Sequence, residues 1–106
     1  MIIEIRNQMD FEKVICSGIS LINFNATWCA SCKEQEHIIK KLIEFYKKKI
    51  IIASVNVDMN KNLANNFGIK SIPTLLICKN CKELQRLVGL QAKDTIIEII
   101  NKTFKS

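Results

Sequence analysis

Phe24-Asn25-Ala26-Thr27-Trp28-Cys29-Ala30-Ser31-Cys32-Lys33 is the stretch on which the fold turns. It reads as a strand running out into a Cys-x-x-Cys pair that opens a helix. Upstream, Ile19 to Phe24 is short, apolar and preceded by Ser17-Gly18, as a buried strand should be. Downstream, Ile38, Ile39, Leu42, Ile43, Phe45 and Tyr46 recur at helical spacing, with Lys40, Lys41 and Lys47 to Lys49 between or after them. Cys29 therefore falls at the first turn of a helix, where backbone N–H groups lack intrahelical acceptors and the dipole is positive. That setting favours the thiolate, the nucleophilic form of cysteine. Cys32, three residues on, shares the helix face and can close a disulfide with Cys29. The pair reads as a redox dithiol.

The composition narrows the alternatives. A chain of 106 residues is the size of one domain, and it can bury roughly two thirds of its unfolded surface without covalent staples. With 48% apolar residues, one proline and three glycines, it is globular rather than disordered. The net charge of +6 comes from lysine almost alone, since Arg6 and Arg86 are its arginines. Nucleic-acid binding prefers clustered arginine with interleaved aromatics, so a solvated basic face is the better reading. Five cysteines do not suit a fully paired secreted framework. No signal peptide is visible before Glu4, and no apolar run reaches membrane-spanning length. The expectation is a cytoplasmic, reducing setting with no membrane insertion and no nucleic-acid partner.

In chain order, Ile2 to Ile5 is a short opening strand, and Gln8 to Ile15 a first helix anchored by Met9, Phe11, Val14 and Ile15. After the long helix, Ile50 to Val57 alternates two sets of mostly apolar side chains, which places it inside a sheet covered on both faces. Asp58 to Asn66 is a short polar helix with Leu63, Ala64 and Phe67 as anchors and Gly68 as its stop. Thr74 to Cys78 and Glu83 to Val88 form a hairpin through Lys79 to Lys82, Gly89 breaks the second strand, and Lys93 to Phe104 is the last helix. Strands separated by helices imply parallel crossovers, while the last two strands pair antiparallel. Pro73 opens a strand in the apolar run Ser71-Ile72-Pro73-Thr74, where a missing N–H is tolerated only at an end or an edge.

Along nearly its whole length, residues 1–106 read as one domain, the sequence resembles the thioredoxin family. The matching pieces stand in the family's order and spacing: Trp28-Cys29-x-x-Cys32-Lys33, then Asn56-Val57-Asp58, Phe67-Gly68-Ile69, Ile72-Pro73-Thr74 and Val88-Gly89. The resemblance implies an α/β thioredoxin fold, a central five-stranded mixed sheet in order 1-3-2-4-5 flanked by four helices. It implies reversible disulfide exchange, with Cys29 attacking a target disulfide and Cys32 resolving the mixed disulfide. Pro73 would be cis and lie against the cysteine pair, and Trp28, Ile72, Pro73, Gly89 and Leu90 would line a docking groove. The implied partners are disulfide-containing proteins and a thioredoxin-reductase-type electron donor. No cofactor beyond the Cys29–Cys32 disulfide and no metal is called for, and a monomer is expected.

Departures from the family pattern carry their own expectations. Ala30-Ser31 replaces the usual Gly-Pro, restoring an N–H and adding a hydroxyl near Cys29; both favour the reduced form and hence a less reducing potential. Asn23 and Ser54 replace a buried Asp and Lys, a joint change that leaves a neutral pair able to hydrogen-bond. Together with Lys33, these residues tune the dithiol. The polar first turns Glu34-Gln35-Glu36-His37 resemble thioredoxin-like electron-relay domains that serve membrane thiol carriers, an alternative to a general reductase. His37 reads first as a surface residue. A redox-inactive binding module on the same fold and a disulfide isomerase or oxidase are further rivals.

Cys78-Lys79-Asn80-Cys81 is a second Cys-x-x-Cys. A zinc site shared with Cys29 and Cys32 is disfavoured, because five strand residues would carry Cys78 about 16 Å from Pro73. Free thiols are the plainer reading, with a Cys78–Cys81 disulfide second. Cys16 reads as a small buried hydrophobe.

Overall fold

The computed structural model describes residues 1–106. The elements run β1 (Ile3–Ile5), α1 (Gln8–Ile15), β2 (Ile19–Asn25), α2 (Ala30–Tyr46), β3 (Ile51–Asn56), α3 (Lys61–Asn66), β4 (Thr74–Lys79), β5 (Lys82–Val88) and α4 (Lys93–Phe104). They build one five-stranded sheet in the order β1-β3-β2-β4-β5. β3 lies parallel to both β1 and β2, whereas β4 runs antiparallel to β2 and β5. The expected strand order and the four helices are those observed.

β2 sits at the centre because both of its faces are apolar. Ile22 and Phe24 point into a core cluster with Phe11, Val14 and Ile15 of α1 and Leu63 of α3. Leu21 joins the opposite cluster, with Ile39, Leu42 and Tyr46 of α2 and Ile96 and Ile100 of α4. The two faces of β3 divide as their alternation predicts, Ala53 and Val55 on one side and Ile52 on the other. Each fully buried Leu, Ile, Val or Phe side chain contributes about 1.5–3 kcal/mol of transfer free energy. The sheet is thus fixed from both sides, with its central strand aimed at the cysteine pair.

Local chemistry sets the boundaries. Asn7 caps α1 by accepting the Asp10 N–H at 2.8 Å. α3 begins three residues later than its polar pattern suggests, because the Asn56 side chain accepts the N–H groups of Asp58 and Met59 and holds that segment in a turn. Met9, expected as an α1 anchor, is exposed. The hairpin turn contracts to Asn80 and Cys81, which both have positive φ (50° and 77°), as a two-residue turn between twisted strands requires.

Candidate functional site

β2 delivers the chain to the site. Beyond Asn25, whose carbonyl accepts the Val57 N–H at 2.9 Å, Ala26 is buried and its carbonyl accepts the Cys29 N–H at 3.3 Å. This turn sets Cys29 as the N-cap of α2, in extended geometry (φ −94°, ψ 112°). Its sulfur accepts the backbone N–H of Cys32 at 3.2 Å, so one of the unpaired donors of the helix start points at Sγ. Ser31 Oγ stands 3.5 Å from the same sulfur. Cys29 and Cys32 are joined as a disulfide, with Cα atoms 5.2 Å apart. Cys29 is 7% exposed and Cys32 3%, so the first cysteine of the pair is the more accessible.

Of the other residues expected at the site, Ile72 lies against this pair. Ile72 packs with Val57 against a small cluster of Ala26, Cys29 and Cys32. The Ile72–Pro73 peptide is cis, and the Pro73 carbonyl accepts the Gly89 N–H at 2.9 Å. Gly89 has φ +89°, a conformation L side chains rarely adopt. Trp28 is 71% exposed, its ring N–H held by Asp58 Oδ2 at 2.8 Å. Val88 and Leu90, flanking Gly89, are exposed as well. Ile72 is thus an apolar neighbour of the cysteine pair, and its peptide bond to Pro73 is tied through Pro73 to Gly89. Lys33 and His37 are exposed on α2.

The Asn23–Ser54 pair departs from expectation. The two are register partners across β2 and β3, yet they share no hydrogen bond. Ser54 Oγ instead accepts from Asn25 Nδ2 at 2.7 Å, and the buried Asn23 Oδ1 has no partner. Asn25 lies on the same face two residues along and reaches Ser54 first. A cleft beside Cys32 is lined by Asn25, Thr27, Lys33 and Glu36.

Two further corrections concern the remaining cysteines. Cys81 pairs with Cys16, not with Cys78, their Cα atoms 4.1 Å apart. Cys16 is the exposed C-cap of α1 rather than a buried hydrophobe, because the hairpin turn folds back against the end of that helix. Cys78 is free and 1% exposed; burial, with Glu83 adding to it, pushes its thiol up to about 11. No group of three or more His, Cys, Asp or Glu residues is arranged to hold a metal ion.

Sequence reasoning missed Gln35. It is fully buried, and its side chain pairs with the backbone of Gln91 in the loop after Gly89. The signal was present in its spacing: Cys32, Gln35, Ile39, Leu42 and Tyr46 form the buried face of α2.

A Cys-x-x-Cys disulfide capping a helix, set beside a cis-proline strand end on a 1-3-2-4-5 sheet, defines a thiol–disulfide oxidoreductase. The sequence matches the thioredoxin family model over residues 2–102. It is 39% identical over 93 residues to a thioredoxin of Chlamydia caviae, covering 88% of this chain and 90% of that one. A Staphylococcus aureus thioredoxin is 34% identical over 93 residues, covering 88% and 89%. Among solved structures, a mutant thioredoxin from Halobacterium salinarum superimposes with a TM-score of 0.87 at 27% identity, covering 94% of this chain and 88% of that one. The chain belongs to the thioredoxin family. The relay-domain and binding-module readings are not favoured beside this agreement of family, fold and paired cysteines.

Proposed function

We propose that this oxidoreductase works as a reductase of protein disulfides, with Cys29 as nucleophile and Cys32 as resolving thiol. The observation that carries the reading is the Cys32 N–H on Cys29 Sγ at the start of α2, which supports a thiolate at the more accessible cysteine. Cys29 thiolate attacks one sulfur of the substrate disulfide, forming a mixed disulfide and expelling the first substrate thiolate. Cys32 then attacks Cys29 Sγ, closing the disulfide within the chain and releasing the second substrate thiolate. Two electrons pass to the substrate, and solvent supplies the protons that make its two thiols.

The exposed Trp28 and the backbone beside Ile72, Pro73 and Gly89 form the surface on which an extended substrate segment would lie. A polypeptide there can pair with the free edge of Ile72, so recognition rests on main chain more than on side chains. Ala30, Ser31 and Lys33 tune the first sulfur; Asn23 and Ser54 tune the second. Lacking the carboxylate of the family at position 23, Cys32 would lose its proton to water entering the cleft beside it. A thioredoxin-reductase-type donor returns the electrons. The chain acts as a cytoplasmic monomer needing no prosthetic group. No helix in it is long and apolar enough to cross a membrane.

Insulin reduction with dithiothreitol as electron source tests the assignment. The wild-type chain should accelerate precipitation of the insulin B chain, and Cys29→Ser should abolish the acceleration. Cys32→Ser should instead accumulate a mixed disulfide at Cys29. Full activity in Cys29→Ser would overturn the roles.

A further inference from the structure

The second disulfide lies far from this chemistry. Cys16 leads through Ser17 and Gly18 into the start of β2, and Cys29 follows its end. The seven residues of β2 separate the two cysteine pairs by about 20 Å at the usual strand rise. The Cys29–Cys32 dithiol of a chain therefore cannot reach its own Cys16–Cys81 bond. Both Cys16 and Cys81 are exposed. The turn that carries Cys81 is clasped independently of the sulfurs, by Cys81 N–H on the Ile15 carbonyl at 2.8 Å and Asn80 N–H on the Gly18 carbonyl at 3.0 Å. Opening the bond leaves the two thiols held together and ready to close again. Lys13 precedes Cys16 by one helical turn and Lys82 adjoins Cys81. Cys78, the third cysteine of this end, is buried and protonated, so it does not scramble the pairing.

We propose that Cys16 and Cys81 are a second redox couple, an exposed dithiol/disulfide opened by the Cys29–Cys32 dithiol of a second copy of this chain. The proposal rests on the reductase reading of Cys29 and Cys32. Cys29 thiolate of one copy attacks Cys16 or Cys81 of the other, breaking that bond and forming an intermolecular disulfide. Cys32 attacks Cys29 Sγ, the donor closes its own disulfide, and the recipient, after taking up two protons, holds two thiols. A fully reduced chain then carries twice the electrons of the Cys29–Cys32 pair alone.

The test separates donor from recipient. The recipient is the Cys29→Ser/Cys32→Ser variant, oxidised with oxidised glutathione; the donor is the Cys16→Ser/Cys81→Ser variant, reduced and desalted. After anaerobic mixing with excess donor, iodoacetamide and peptide mass mapping read Cys16 and Cys81 of the recipient. Both should become alkylated within minutes, and both should stay blocked without donor. A donor also carrying Cys32→Ser should be trapped on Cys16 or Cys81. Reduced, isotope-labelled wild-type chain serves as a second donor if the double variant does not fold. Alkylation of both cysteines without donor would show that no disulfide forms, and would overturn the proposal. Donor that reduces insulin but leaves the recipient blocked overturns it alone; donor that reduces neither overturns the reductase reading as well.

Discussion

Gln35 of α2 and Gln91 of the β5–α4 loop hold each other reciprocally. The Gln91 backbone N–H donates to Gln35 Oε1 at 2.7 Å, and Gln35 Nε2 donates to the Gln91 carbonyl at 3.1 Å. The Gln91 side chain in turn donates to the carbonyls of Val88 and Gly89. A buried amide on the helix that Cys29 caps thus fixes the loop bearing Gly89, one wall of the substrate surface proposed above. Replacing Gln35 by Ala leaves the Gln91 N–H without its acceptor, costing about 1–3 kcal/mol of stability. The kcat/KM for insulin should fall roughly tenfold through KM, with exchange against dithiothreitol within about twofold of wild type, because the dithiol itself is untouched. Equal losses with both substrates would refute this positioning role.

Ser31 Oγ faces Cys29 Sγ at 3.5 Å, a long contact that strengthens when the sulfur carries charge. Ser31→Ala should slow alkylation of reduced Cys29 near neutral pH by roughly threefold to tenfold, the worth of one modest hydrogen bond. The pH dependence of iodoacetamide alkylation measures it. A weaker thiolate also makes the disulfide harder to reduce, so the potential of the variant should move in the more reducing direction. An unchanged alkylation profile would remove Ser31 from the tuning residues.

Asn23→Asp supplies a carboxylate at a position 3% exposed. With Ser54 in place of a cation, burial raises its pKa and makes it a stronger base. Resolution of the mixed disulfide should quicken roughly tenfold at neutral pH, below the usual range of general-base catalysis if water already takes the Cys32 proton as proposed. The same charge has no buried partner, so stability should drop as pH rises through the carboxyl pKa. Stopped-flow tryptophan fluorescence with a peptide disulfide reads the rate; no acceleration would leave water as sufficient.

Cys78 makes a prediction at high pH. Its folded pKa, about 11, lies above the ordinary thiol value of 9.0 through burial and the Glu83 carboxylate. The unfolded chain therefore loses this proton first. The stabilisation is complete below pH 9 and is lost as pH rises towards 11, a difference of roughly 2–3 kcal/mol. The oxidised protein should become easier to denature over that window, and Cys78→Ala should flatten the dependence. A parallel decline in both proteins would assign it to other groups, Tyr46 among them, whose pKa is also raised by burial.

The fold was legible wherever one local signal had one physical cause. The two-sided apolar pattern of β2 and β3, Gly68 and Gly89 at positive φ, and the Cys29 cap all follow from residue type and spacing. What escaped the sequence depended on distance in three dimensions. The reach of Asn25 to Ser54, the Gln35–Gln91 pair and the Cys16–Cys81 bond join residues 29, 56 and 65 positions apart. In the last case a Cys-x-x-Cys spacing suggested a local pair, but Cys78 faces inward on β4 while Cys81 occupies the turn.

The outer strands of the sheet bear on how the molecule behaves in a crowded solution. β5 shows mostly exposed side chains, among them Lys82, Glu83 and Gln85, while Arg86 is tied to Glu83 at 2.9 Å. The opposite border, β1, is three residues long. A strand arriving from another molecule would have to strip water from charges on one side and would find too few partners on the other. Growth by edge-to-edge addition, the route from a folded sheet to fibrils, is closed at both ends. The sheet therefore offers an arriving chain little to extend.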